Sequence, residues 1–307
     1  MGLRIRTNTA SINAQRRLGK SVQNVEDSAA KLSSGKRINK AADDAAGLAI
    51  SSNLTADVRS LNQAKRNAQD GVSLVQTAEG GLEETTNMLT RLRELAVQGA
   101  SDTIGETERG FLDKEFVALK DEIDRIATAT EYNGTRLIVG ETQLSDEISN
   151  QEGTFPLEVQ VGKDYFNGVD NVNEPNQVNI IKIDLGKLNA FTSGDGSLGI
   201  GKAEEGTRVN SKANAQQSIN QLDAAIVKVS DYRSYLGAIQ NRFGSTIDSL
   251  SVTTENLTQA NSRILDTDFA EETAKYTSAN ILKSAGTSVL AQANQLPQTA
   301  QTLLQGL

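Results

Sequence analysis

The stretch that decides the fold is residues 61–96, LNQAKRNAQDGVSLVQTAEGGLEETTNMLTRLRELA. Small and apolar residues recur in it at alternating steps of three and four, which places them on one stripe of an α-helix. The stripe consists of Leu61, Ala64, Ala68, Gly71, Val75, Ala78, Leu82, Thr85, Leu89, Leu92 and Ala96. The spacing predicts a helix over about 57–99, roughly 60 Å long at 1.5 Å per residue. Such a helix cannot bury its stripe alone, so the sequence predicts a partner helix.

The partner is predicted near the other end of the chain, where bulkier residues repeat the same spacing. They are Ile219, Leu222, Ile226 and Val229, then Leu236, Ile239, Phe243, Thr246, Leu250, Thr253, Leu257, Ala260 and Ile264. Small residues on one helix facing bulky ones on the other favour close interdigitation. A third helix is predicted over about 106–129, with its apolar face formed by Phe111, Phe116, Leu119, Ile123 and Ile126. A turn at 132–134 follows it.

The middle of the chain changes to a period of two. Leu157, Val159 and Val161 alternate with polar residues, and Gly and Asn cluster around them. This pattern predicts short antiparallel strands and hairpins within about 140–205. The expected fold class is therefore mainly α, a long antiparallel helical bundle or coiled coil of paired N- and C-terminal halves with a small central β-hairpin region.

Both ends of the chain carry amphipathic stripes for which the sequence offers no strong local partner. No residue from 284 to 307 is charged, which makes this tail a poor solvent-facing surface that is nevertheless too polar for lipid. We expect the ends to be loose in the free subunit and to become ordered on assembly. The predicted assembly interface consists of Ile5, Ile12, Leu18, Val22, Val25, Leu32, Ile281, Leu282, Val289, Leu290, Leu296, Leu303 and Leu304.

Composition excludes several classes of chemistry. The chain has neither Cys nor His, so disulfides, thiolate catalysis and Cys/His zinc sites are excluded. We expect no catalytic, cofactor-binding or metal-binding residues and no enzymatic activity. The adjacent carboxylates of Asp43 and Asp44 are predicted to cap a helix or form ion pairs. The glycine pattern at 194–199 lacks the strand and helix that a phosphate site requires, so it is predicted to be a flexible loop.

Charge and hydropathy indicate a protein that acts on neither nucleic acid nor membranes. The net charge is −8, whereas nucleic-acid binders usually carry a basic excess. Residues 1–40 are locally basic, so a DNA-binding arm with salt-dependent affinity stays open as an alternative. No stretch approaches the roughly 18 apolar residues of a membrane span. The N-terminus lacks the apolar run of a cleavable signal peptide, so export would use a route that reads no cleaved signal.

Several short segments, taken together, point to one family. They are LGKS at 18–21, LSSGKRIN at 32–39, AADDAAGLAI at 41–50, VQTAEGGL at 75–82, LRELAVQ at 92–98, QNRF at 240–243, SRI at 262–264 and SVLAQANQ at 288–295. The combination resembles bacterial flagellin over about 1–140 and 210–307. It is weakest over 141–209, the part that varies most between members.

The resemblance implies a division of the chain into three regions. Residues 1–43 and 266–307 would form a terminal coiled-coil domain lining the inner tube of a filament, and 44–140 and 210–265 a helical rod domain. Residues 141–209 would form a short β-rich variable insert. Within the insert, Val159-Gln160-Val161-Gly162 resembles the hairpin motif of the family's helical domain.

The resemblance also implies a function and partners. The chain would be a structural subunit that is exported unfolded, polymerises at the filament tip and serves motility outside the cell. Its partners would be other copies of itself, an export chaperone at the C-terminal segment, and the filament cap and hook-junction proteins. Family members are also ligands of an animal innate immune receptor, whose recognition segment corresponds here to Arg91, Leu95 and Glu115. Thr90 departs from that segment, because many activating members have Gln there.

Two further alternatives stay open at this point. A hook–filament junction protein of the same superfamily would carry similar terminal helices. Some flagellins carry a metalloprotease in the central insert, but that form needs an HExxH motif, and this chain has no His.

Overall fold

The computed structural model describes residues 8–140, 156–164, 166–167, 171–175, 178–194, 196–202 and 206–305; for 166–167, 171–175 and 296–305 it describes the backbone alone. The helices in these ranges are α1 (Thr9–Ser34), α2 (Ala45–Gly99), α3 (Glu106–Ala129), α4 (Lys212–Leu265) and α5 (Phe269–Gln305). The strands are β1 (Glu131–Tyr132), β2 (Thr135–Arg136), β3 (Leu157–Gln160), β4 (Phe166–Asn167), β5 (Asn171–Pro175) and β6 (Ile180–Ile183). The mainly α fold class with a small central β region is thus confirmed.

The chain forms two compact units. Met1–Val58 and Glu255–Leu307 make the terminal unit, and Arg59–Thr254 makes the central unit. Helices α2 and α4 contribute residues to both. The three-region division implied by the resemblance stays a prediction.

In the central unit, α2 and α4 run antiparallel. Arg93 binds Asp223 at 2.6 Å near one end, and Lys65 donates to the Ser251 hydroxyl at 2.9 Å near the other. All eleven residues of the predicted α2 stripe are buried. Gly71 lies so close to the ring of Phe243 that a Cβ there would be 2.7 Å from its Cζ. The predicted interdigitation of small against bulky side chains is therefore present at this crossing.

The α4 stripe departs from the prediction at one position. Leu236, Ile239 and Phe243 are buried as expected, and so is Leu250. Thr253 is exposed, and that prediction was wrong. The step after Leu250 is four residues rather than three, so that Thr254 takes the half-buried position.

Helix α3 occupies the predicted range, but its inward face differs from the prediction. Phe111 is 64% exposed, with the Lys114 ammonium 5.9 Å from the ring centroid, so its assignment to the apolar face was wrong. Phe116 and Ile123 are buried as predicted. Besides these and Ala127, the buried positions of α3 are charged, at Arg109, Asp113 and Lys120.

These charged side chains tie the segment that leads into α4 onto α3. Asp113 accepts from the guanidinium of Arg208 at 2.5 Å and from the backbone N–H of Val209 at 3.0 Å. The Lys120 ammonium donates to the carbonyl of Thr207 at 3.2 Å. Burial, reinforced by the nearby Arg208, lowers the pKa of Lys120 to about 8. An apolar pattern cannot reveal this network, because it treats all charged residues as solvent-facing.

The described strands form three antiparallel pairs, β1–β2, β3–β6 and β4–β5. The predicted turn joins β1 to β2, where Asn133 and Gly134 adopt φ values of 51° and 79°. Such left-handed residues match the twist of a tight hairpin. Strand β3 carries the first part of the Val159–Gly162 motif and pairs with β6. The glycine-rich stretch beyond β6 lies in a loop as predicted, and Lys228 anchors it by donating to the carbonyls of Gly196 and Ser197.

Candidate assembly surface

Helices α1 and α5 pair with each other in antiparallel fashion within the terminal unit. The amide of Asn8 donates to the carbonyl of Ala293 at 2.7 Å, and the Ser11 hydroxyl donates to the side-chain oxygen of Asn294 at 2.7 Å. Farther along, Gly286 faces Leu18, whose Cδ1 would lie 3.2 Å from a Cβ at that position. The two ends of the chain therefore have a local partner, which is each other.

Small residues fill the contact between the two helices. On α1 they recur every seven residues, at Ala14, Ser21 and Ser28, and on α5 they recur at Ala279, Gly286 and Ala293. The four outer members, Ala14, Ser28, Ala279 and Ala293, are buried, and the two central ones are half-buried. A step of seven keeps a residue on the same side of a supercoiled helix. This recurrence is present in the sequence, but the predicted interface does not include it, because that interface consists of large aliphatic residues alone.

Four large aliphatic residues of the predicted interface lie outside this contact. Ile12, Ile281, Leu282 and Val289 are between 54% and 63% exposed. The half-buried members are Leu18, Val22, Val25, Leu32 and Leu290. Ile5 lies outside the described residues, as do the side chains of Leu296, Leu303 and Leu304. The pair of helices thus leaves these four large apolar side chains, here called the outer row, more than half exposed.

The linkers at the base of the α1–α5 pair are joined to each other. Gly35, with φ 68°, ends α1 and accepts from the backbone N–H of Thr267 at 3.1 Å. Lys36 and Asp266 form a backbone bridge, and Arg37 donates through its guanidinium to the carbonyl of Ile264 at 2.9 Å. The entry to α5 and the exit from α1 are therefore held together.

The adjacent carboxylates take the structural role predicted for them. Asp44 accepts from the backbone N–H of Gly47 at 2.9 Å and so caps α2. Asp43 accepts from the backbone N–H groups of Lys40 and Asn39 at 2.9 and 3.0 Å. These bonds, that from Lys40 first, hold the pKa of the Asp43 carboxyl below its usual range.

The residues proposed for immune recognition lie in the central unit. The Arg91 guanidinium donates to one oxygen of Glu115 at 2.9 and 3.1 Å, and to Glu94 at 2.9 Å. The hydrogen bonds that Arg91 donates to Glu94, and then those to Glu115, raise the pKa of Arg91. Arg91 and Glu115 are each about half exposed, whereas Leu95 is buried beneath the helix surface. The structure brings the two charged residues together and leaves only them accessible.

The described residues lack two other features. Among them, no group of three or more carboxylate side chains is placed to hold a metal ion. No helix in the described ranges is both long and apolar enough to span a membrane.

Comparison with known proteins accounts for the paired terminal helices. The bacterial flagellin N-terminal helical region matches residues 5–143, and the bacterial flagellin C-terminal helical region matches residues 219–304. The chain belongs to the bacterial flagellin family. A flagellin from Halalkalibacterium halodurans is 40% identical over 98% of this chain and 99% of its own length. Polar flagellin C from Vibrio parahaemolyticus is 36% identical over 99% of this chain and its whole length.

Solved structures give a looser match. The crystal structure of a Bacillus cereus flagellin covers 60% of this chain and 88% of its own, with 30% identity and a TM-score of 0.44. A putative flagellar hook-associated protein from Vibrio parahaemolyticus covers 73% of this chain and all of its own, with 16% identity and a TM-score of 0.54. The second likeness shows a shared fold alone. The full-length flagellin matches therefore favour a filament structural subunit over a junction protein.

Proposed function

We propose that this chain self-assembles into an extracellular flagellar filament through the row of large apolar residues on α1 and α5. The observation that carries the proposal is that Ile12, Ile281, Leu282 and Val289 stay more than half exposed although the two helices are already paired. Other copies of the chain would cover these residues. Burying a large aliphatic side chain fully stabilises by about 1.5–3 kcal/mol, so covering the exposed half of each contributes roughly 1 kcal/mol.

The assembly we propose uses heterologous contacts, in which the row on one copy meets a different surface on the next. Contacts of this kind produce an open helical filament when their rotation does not close a ring. Ordering the terminal segments opposes assembly, because the backbone loses conformational entropy. These opposing effects support terminal helices that become ordered only in contact with neighbouring copies. Such helices suit a chain that is exported unfolded through the flagellar secretion apparatus. The chain would then polymerise at the filament tip.

Further partners follow from family membership and are proposed on that basis. An export chaperone would hold the uncharged C-terminal segment before secretion. The filament cap would assist folding at the tip, and hook-junction proteins would contact the first subunits. We propose a structural role rather than a catalytic one, since the assembly surface and the family both support it.

Recognition by an animal innate immune receptor is proposed for Arg91, Leu95 and Glu115. The half-exposed ion pair of Arg91 and Glu115 supports a polar contact. Because Leu95 is buried, we propose that it supports the pair from below rather than meeting the receptor through its side chain.

A truncation tests the assembly proposal. Deleting residues 280–307 removes Ile281, Leu282 and Val289, three of the four exposed residues named above, and removes no residue of the central unit. We expect the truncated chain to keep the helical circular dichroism of the central unit and to form no filaments by electron microscopy. Normal filaments from this truncation would contradict the proposal.

A matched pair of point variants sharpens the test. Val289→Gln changes a valine that is 54% exposed on α5, and Val252→Gln changes a valine that is 58% exposed on α4 in the central unit. Losing roughly 1 kcal/mol of burial predicts about a fivefold rise in the critical concentration for polymerisation of Val289→Gln. Val252→Gln should polymerise like the wild type. Equal effects from the two changes would show that exposure alone, and not this surface, controls assembly.

A further inference from the structure

Charge is segregated along the α1–α5 pair. In the half nearest the chain ends, residues 8–24 and 279–305 include no carboxylate, and their charged residues are Arg16, Arg17, Lys20 and Lys283. The first carboxylates of α1 are Glu26 and Asp27, which lie beyond this half. The charged side chains of both groups are exposed. The pair of helices therefore presents a positive and a negative surface to whatever lies beside it.

Two of these exposed charges, Lys20 and Glu26, form no ion pair within the part of the chain that the structure describes. The residues three and four positions before Lys20 are Arg17 and Arg16, and like charges at these spacings repel each other on a helix. The residues three and four positions away from Glu26 are uncharged, namely Val22, Gln23, Ala29 and Ala30. Helix α1 therefore offers neither side chain an opposite charge at a favourable spacing.

Lys20 and Glu26 lie on different flanks of the exposed face of α1. They are six residues apart, which is about 9 Å along the helix axis and about 120° around it. The exposed Ile12 of the outer row lies between them around the axis, whereas Asp27 lies on the same flank as Lys20. Charges on opposite flanks cannot meet within one helix. They do meet when copies lie side by side in the same direction, because one flank of each copy then faces the other flank of the next.

We propose that the Lys20 ammonium of each assembled copy pairs with the Glu26 carboxylate of a neighbouring copy that runs in the same direction. This inference rests on the filament proposed above and concerns only the assembled state, in which α1 is ordered. The contact is heterologous, so it repeats from copy to copy without closing. It sets a displacement of about 9 Å between neighbours along α1. Because exposed ion pairs contribute little to stability, the pair selects the register while the outer row supplies the apolar burial.

The test is polymerisation of full-length Lys20→Glu and Glu26→Lys chains, separately and as an equimolar mixture, at one fixed ionic strength. Each variant alone brings like charges together at every contact, so its critical concentration should rise about fivefold. In the mixture, alternating copies join opposite charges at every contact, and the critical concentration should return close to that of the wild type. The matched controls Lys283→Glu and Asp27→Lys make the same changes of charge elsewhere on the pair and should polymerise as the wild type does.

Recovery in the mixture supports pairing between copies, because mixing cannot repair a variant that fails to fold. A mixture that polymerises no better than its components, or controls that are equally impaired, would overturn the pairing. So would wild-type polymerisation of both variants, and loss of salt-dependent DNA binding by Lys20→Glu would then assign the cation to nucleic acid. In each of these cases wild-type filaments leave the filament proposal standing. Absence of wild-type filaments would instead overturn that proposal, and the pairing with it.

Discussion

The buried ammonium of Lys120 gives the central unit a measurable dependence on pH. Its side chain is fully buried between α3 and the segment that enters α4, where its ammonium donates to the carbonyl of Thr207. The charged groups around it are the guanidinium of Arg208 and the carboxylates of Asp113, Asp121 and Asp124. Burial dominates this balance, so the pKa of Lys120 falls from 10.5 to about 8.

The direction of the effect follows from this depressed pKa. Below pH 8 the ammonium is charged in both the folded and the unfolded chain, and its burial destabilises the fold in full. Between about pH 8 and 10.5 the unfolded chain binds more protons than the folded one, so the free energy of unfolding rises with pH. The whole difference in pKa corresponds to roughly 3 kcal/mol at about 1.4 kcal/mol per tenfold change in proton affinity.

Replacing Lys120 with Met tests this reasoning, because Met keeps the apolar stem of the side chain and removes the titrating group. Urea unfolding of the monomer, followed by far-ultraviolet circular dichroism at several pH values from 7 to 10.5, should show the rise in the wild type. The rise should be smaller in Lys120→Met by about 3 kcal/mol. Lys114→Met removes an exposed lysine from the same helix and should keep the wild-type slope. If Lys120→Met and the wild type gained stability in parallel, the ammonium would not be buried in its charged form and the reasoning would be wrong.

Two other changes probe the packing and the ion pairs of the central unit. Gly71→Ala places a Cβ 2.7 Å from the ring of Phe243, so overpacking of about 1–3 kcal/mol should outweigh a gain in helix propensity of about 1 kcal/mol. In Gly80→Ala the new Cβ meets no atom within 4 Å, so this variant should be more stable than the wild type. If urea unfolding showed a higher free energy of unfolding for both variants, the close approach of Gly71 to Phe243 would be contradicted. Asp113→Asn removes the counter-charge of the half-buried Arg208 from a buried position and should destabilise by about 2–3 kcal/mol. Asp102→Asn breaks an exposed ion pair and should lower the free energy of unfolding by less than about 1 kcal/mol. Equal losses from Asp113→Asn and Asp102→Asn would show that burial does not strengthen the first ion pair.

The helical framework could be predicted because its cause is periodic and local. Every residue of the α2 stripe from Leu61 to Ala96 is buried, since a long helix with one stripe has only one way to cover it. The turn at Asn133 and Gly134 was predictable for a similar reason, because few residues tolerate positive φ. The sequence was less decisive about which residues of α4 face α2, as the exposed Thr253 shows. The next residue of a helical stripe can follow after three or after four positions, and both choices keep the stripe on one face.

The charged face of α3 could not be predicted in the same way. Asp113 and Lys120 are buried because Arg208 and the carbonyl of Thr207 meet them, and those partners lie more than 80 residues away along the chain. A pattern of apolar residues contains no information about contacts between residues so distant in sequence. A buried charge without a partner is very unfavourable, so a prediction from sequence places charged residues in water. Phe111 was predicted to be buried for a related reason, because aromatic residues are usually more buried than charged ones.

The two antiparallel helix pairs of this chain differ in where their large apolar residues lie. In the central unit, Leu82 and Leu89 lie inside the contact and are fully buried, so the hydrophobic contribution is complete within one molecule. In the terminal unit, Ala279 and Ala293 lie inside and Leu282 and Val289 lie outside. Apolar area that a helix pair leaves in water stabilises the molecule only when another surface covers it. The central pair therefore supports the fold of the single chain, and we propose that the terminal pair supports association. Substitutions in the central stripe should therefore lower the free energy of unfolding, whereas those on the outer row of the terminal pair should leave it unchanged and raise the concentration needed for polymerisation.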